Sequence, residues 1–152
     1  MILSAAAVGG IAGSVAGPRI VAWLGGARTA QVMLLASAPA FLGVALAPGA
    51  WTLAASMMLF EFSGLVWNLV VVSHRQRIIP PALLGRVNSI YRLIATGMMP
   101  LGLVISGAAM ALAEPVLGRP AALVLPFWLA AAGAVVLTAW GWRAIARGFK
   151  AG

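Results

Sequence analysis

The sequence predicts an all-α membrane protein of five transmembrane helices, and two observations carry that prediction. Hydrophobic residues make up 63% of the 152-residue chain and charged residues 8%, with a mean hydropathy of +1.07, whereas an ordinary soluble domain is about a quarter charged. Too few polar side chains remain to cover a water-facing surface, so the bilayer must solvate most of it. The second observation is the placement of charge. Small basic groups separate long apolar runs, and each run is close to the roughly 20 residues that cross a hydrocarbon core of about 30 Å.

Several function classes are disfavoured on the same grounds. A net charge of +8 would suggest nucleic acid if the basic residues formed one patch, but they flank apolar runs in the manner of the positive-inside rule, and no nucleic-acid partner is expected. Cysteine is absent, His74 is the only histidine, and the two carboxylates, Glu61 and Glu114, are far apart in sequence. Disulfides, metal centres and cofactors are therefore not expected. No Ser/His/Asp set or carboxylate pair occurs at a plausible depth, so the chain is not expected to be an enzyme. A removed signal peptide is disfavoured because no basic stretch precedes the first apolar run.

The spans are placed at about 1–17, 30–47, 51–73, 87–113 and 121–142, within a single transmembrane domain covering 1–152. In the first, Ala5, Gly9, Gly13 and Gly17 recur every fourth residue, which is the small-residue ladder that lets helix backbones approach closely in lipid. Pro18 is expected to end that helix, with a Gly25–Gly26 turn between Arg19 and Arg28. The second run ends at Pro48–Gly49 and the third reaches His74. From His74 to Arg92 lies the stretch around which the chain is organised, carrying Arg75, Arg77, Arg86 and Arg92. It is read as a short loop. The fourth run has Asn88 or Ser89 as a cap and Pro100 inside it as a candidate hinge. EPVLGRP, 114–120, is read as a loop before the fifth run and the basic tail Arg143, Arg147 and Lys150.

Nine of the ten basic residues fall at 18–29, at 74–92 and in the tail. The positive-inside rule puts those segments in the cytoplasm, with the N-terminus outside and the chain in a plasma or inner membrane.

Glu61 is the one acid within a span, near the bilayer midplane, where an ionised side chain costs at least ~3 kcal/mol. It should face a cavity, find a partner or take up a proton. Asn68 lies seven positions on and Gly64 between them, so the three form one partly open polar stripe. Two readings stand: Glu61 binds a proton or a cationic substrate, or a neutral Glu61 bonds a neighbouring helix for assembly. On the fourth helix Ser89, Arg92 and Thr96 share a face. His74 is expected at the headgroups near the C-terminal end of the third helix.

The run RQRIIPPALLGRVNSIYRLIATGMMPLG, with Arg75, Gln76, Pro80, Leu84, Gly85, Arg86, Val87, Ser89, Arg92, Pro100, Leu101 and Gly102, resembles the segment joining the tenth and eleventh helices in one branch of the major facilitator superfamily, that of macrolide-efflux and enterobactin-exporter-like proteins. Gly17, Arg19, Gly25 and Arg28 fit the loop between the eighth and ninth helices loosely. Val21 or Ala22 falls where that loop carries an acid. The resemblance implies that the five runs correspond to helices eight to twelve of a twelve-helix transporter, making this sequence a fragment whose missing N-terminal helices complete it. It further implies alternating-access efflux of a small hydrophobic drug or metabolite by proton antiport. Glu61, Asn68 and Thr96 would then line the substrate or proton pathway, while Arg19, Arg28, Arg75, Arg77, Arg86 and Arg92 set topology and gating. Gly9, Gly13, Gly17, Gly64 and Pro100 would serve packing and hinge motion, and the glycine ladder would face some of the missing helices. The alternatives are a non-transporting membrane subunit acting through helix packing, and an inactive truncated product.

Overall fold

The computed structural model describes residues 2–149, and over that range it is built of helices. These are α1 (Ile2–Leu24), α2 (Gly26–Ala45), α3 (Ala50–Ile78), α4 (Pro81–Leu117) and α5 (Arg119–Gly148). All five are long and apolar enough to cross a membrane. Most helix ends lie beyond their predicted bounds because the predicted loops contract, whereas α2 stops at Ala45, short of the predicted 47.

Pro18 does not end α1, which continues to Leu24. A proline costs the helix one hydrogen bond, here the one to the Ser14 carbonyl, but uncoiling in an apolar medium would expose several more groups with no water to receive them. The break comes at Gly25, with φ 78° and ψ 157°, a conformation essentially restricted to glycine. The Gly25 N–H donates to the Val21 carbonyl at 2.9 Å, and the Gly25 carbonyl accepts from the Thr29 N–H at 3.0 Å. One residue thus ends one helix and starts the next. The predicted 114–120 loop shrinks to the same device at Gly118, with φ 77° and ψ 157°. Its N–H donates to Glu114 and its carbonyl accepts from Ala122, both at 3.0 Å.

The predicted loop at 74–92 reduces to Ile79 and Pro80, because α3 runs on to Ile78 and α4 begins at Pro81. Each residue that precedes a proline is pushed off helical geometry, which places the break at Ile79–Pro80. Pro81 then takes the first helical position, where its missing N–H costs nothing. Asn88 and Ser89, expected as caps, lie inside α4, and the Ser89 hydroxyl donates to the Gly85 carbonyl at 2.9 Å. The turn at 46–49 and the predicted Gly25–Gly26 turn, now a break at Gly25 alone, keep their places.

Among the described residues the chain divides into two compact units, one of residues 2–75 with 127–149 and the other of residues 76–126. In the first, the ladder of α1 closes on α3. A Cβ on Gly9 would overlap the Met58 carbonyl oxygen, one on Gly13 would lie 2.9 Å from the Phe62 carbonyl oxygen, and one on Gly17 would lie 2.8 Å from Leu69 Cδ2. Gly9, Gly10, Gly13 and Gly17 are accordingly the buried residues of α1. The ladder expected to face helices outside the chain is therefore engaged by α3 within it.

The register of these contacts sets helix direction. Positions rise together along α1 and α3, from Gly9 with Met58 to Gly17 with Leu69, so the two run parallel. Against α3, α2 runs the other way: Gly26 meets Val70, whereas Gly43 meets Ser56 and the Phe41 and Phe60 rings lie 5.1 Å apart. Likewise Gly26 touches Phe149 and Gln31 bonds Trp142, so α2 is antiparallel to α5. Within this unit α1, α3 and α5 share one direction and α2 opposes them, as successive crossings of a bilayer require.

Replacing Gly13 with Val should lower unfolding stability by about 1–3 kcal/mol through overpacking. Gly107→Val, at a site with nothing within 4 Å, should change it by less than about 0.5 kcal/mol. Denaturation in detergent micelles compares the two. Gly25→Ala should cost about 1–3 kcal/mol by the same measurement, because the joint needs a positive φ.

Candidate functional site

Glu61, Gly64 and Asn68 are all exposed, whereas Ser63, Val66 and Val70 on the opposite side of the same helix are buried. The stripe points away from the contacts with both α1 and α2, and a Cβ on Gly64 would meet nothing within 4 Å. Eleven residues separate Ala50 from Glu61, about 16 Å along the helix axis, which is close to half the hydrocarbon thickness. Among the described residues neither Glu61 nor Asn68 makes a hydrogen bond or ion pair.

That sets them apart from most other polar groups of this unit. Ser37 donates to Leu34 O at 2.6 Å, Ser56 to Thr52 O at 2.9 Å, Ser63 to Phe60 O at 3.0 Å and Thr138 to Ala134 O at 2.6 Å. A hydroxyl can bond back to its own helix in this way and be hidden. Glu61 and Asn68 make no such bond among the described residues, which leaves water, a ligand or another helix as their partners.

Thr96 lies in the other unit, on α4. With Ser89, Arg92, Leu93 and Gly97 it lines a shallow open depression of about 540 Å³. Pro100 sits inside a continuous α4 and removes the N–H that the Thr96 carbonyl would otherwise accept. No residue of α4 is buried.

Most of the arginines lie near helix ends. Arg19 is in the last turns of α1, Arg28 in the first turn of α2, Arg75 and Arg77 close α3 and Arg86 is in the second turn of α4, whereas Arg92 lies eleven residues past Pro81, inside α4. All are exposed except Arg75, which is half-buried. His74, expected at the headgroups, stacks on the Phe149 ring with centroids 4.0 Å apart, and Phe149 also covers Gly26. Missed from the sequence was Gln31. It is buried in α2, and its Nε2 donates to the Trp142 carbonyl of α5 at 2.7 Å. An amide near the start of an apolar run was the available signal. No protein family, curated protein or solved structure matches the chain.

Gln31→Leu should remove the α2–α5 bond and lower stability by about 0.5–1.5 kcal/mol, read as a lower midpoint of thermal unfolding in detergent.

Proposed function

We propose that the chain is part of a secondary active transporter of the major facilitator type, corresponding to its helices eight to twelve, which exports a small hydrophobic drug or metabolite by proton-coupled alternating access. The observation that carries this reading is the Glu61–Gly64–Asn68 stripe: a carboxylate and an amide near mid-membrane depth, on a helix face exposed within its own unit among the described residues. Retaining an acid there is costly, and proton relays and substrate pathways are where such residues occur. The shared direction of α1, α3 and α5, opposed by α2, is what alternate crossings of a bilayer give. The basic helix ends then face the cytoplasm, with the N-terminus outside.

In this reading Glu61 takes up a proton from the outer side and releases it to the cytoplasm as substrate moves outward, and Asn68 orients it or hydrogen-bonds the substrate. Thr96 belongs to the pathway through its hydroxyl and its freed carbonyl. The remaining helices of the full-length protein form the opposite wall.

A second reading has one observation in its favour. α4 buries no residue, as expected of a membrane subunit that packs against other proteins. In proteoliposomes holding the full-length protein, Glu61→Gln should abolish substrate-dependent proton flux while substrate binding persists. Undiminished coupled flux in a correctly inserted variant rejects the transport role of Glu61 and leaves the subunit reading.

A further inference from the structure

The cytoplasmic arginines have a shortage of anions. The chain has ten basic residues and two acidic ones, so intramolecular ion pairs can neutralise only a small part of the charge. On α4 the shortage has a definite location. From Leu93 to Ala113 the helix carries 21 consecutive uncharged residues, bounded by Arg92 and Glu114. At about 1.5 Å per residue this is roughly 31 Å, one hydrocarbon thickness. With that stretch in lipid, Arg92 lies at the level of the phosphates of one leaflet and Glu114 at the level of the other.

At that level the surface is shaped. Arg92 sits in the depression lined by Ser89, Leu93, Thr96 and Gly97, with Gly97 leaving the floor open. The Ser89 hydroxyl donates to Gly85 at 2.9 Å, so it has no proton to offer a ligand. Arg92 and the Thr96 hydroxyl, in contrast, have no hydrogen-bond or ion-pair partner among the described residues. A guanidinium fork with a hydroxyl one turn deeper fits a phosphodiester, the fork donating to its two non-bridging oxygens and the hydroxyl to an ester oxygen. Leu93 and the apolar surface beyond it would run beside the acyl chains.

We propose that Arg92 and Thr96 on α4 form a binding site for the phosphate of an anionic phospholipid, in the leaflet that holds the N-terminal end of that helix. The source is the bilayer because Arg92 stands at phosphate depth and the depression is lined wholly by exposed residues of one apolar helix. The site leaves the Glu61 stripe untouched but takes Thr96 out of the pathway proposed above, and it rests on the membrane crossing of α4 alone.

The test places the purified full chain in nanodiscs of phosphatidylcholine with an equal part of phosphatidylglycerol, releases it into the gas phase and counts retained phosphatidylglycerol by native mass spectrometry. Arg92→Gln should reduce retention about tenfold, as loss of a charged hydrogen bond implies. Arg92→Lys should retain an intermediate amount, since it keeps charge but not the fork. Arg119→Gln, with the same loss of charge at the other end of α4, should retain lipid as the parent does. Should Arg92→Gln fail to insert, Arg92→Lys and Thr96→Val carry the test, each retaining less lipid than the parent. Equal losses in the Arg92 and Arg119 variants would overturn the site in favour of diffuse attraction. Retention unchanged by Arg92 or Thr96 substitution would overturn it outright. Displacement of the lipid by millimolar inorganic phosphate would overturn the lipid as the occupant.

Discussion

In hydrocarbon every backbone N–H and carbonyl has to be satisfied by the chain itself, and most of this structure follows from that constraint. It explains why α1 continues through Pro18 and α4 through Pro100 and Pro115: one lost bond costs less than an open loop. It explains joints of a single residue at Gly25 and Gly118, where each glycine both closes one helix and opens the next. The hydroxyls of Ser37, Ser56, Ser63 and Thr138 answer to it as well, turning back on their own helices.

With backbone groups satisfied inside each helix, association has to come from contact, because lipid tails offer no hydrophobic drive to pack. α1 meets α3 through glycines placed against the backbone of Met58 and Phe62, and the parallel sense of that contact makes α2 the antiparallel crossing between them. Against such a background a group that finds no local partner stands out. Glu61 and Asn68 are two such groups on one face of α3, and Arg92 with Thr96 are two more inside α4. Neither pair has a hydrogen-bond or ion-pair partner among the described residues, and the two lie on different helices.

The five spans were legible because apolar runs of membrane length bounded by arginine have few other solutions. The ladder at Gly9, Gly13 and Gly17 was legible as a packing face for the same reason, though spacing does not name the partner, and α3 rather than a helix outside the chain proved to be against it. Helix ends were misjudged at Pro18, at 74–92 and at 114–120, because turn signals were weighed as in water, where proline and arginine mark loops. The Ile79–Pro80 break was hidden in plain text: two consecutive prolines disfavour helix at the residues before them. Gln31 escaped notice because its partner, a backbone carbonyl 111 positions away, leaves no trace in sequence. The polar faces on α3 and α4 were readable from helical spacing alone.

Alternating passage of consecutive helices through the bilayer is the claim on which the rest stands, and the absence of cysteine allows a clean measurement of it. Single cysteines at Ala27, Pro48, Ile79 and Leu117 would each be challenged with a membrane-impermeant maleimide in sealed vesicles of known sidedness. Positions 27 and 79 should react from one side, and 48 and 117 from the other. Labelling of all four from the same side, or of 27 and 79 from opposite sides, would contradict the account.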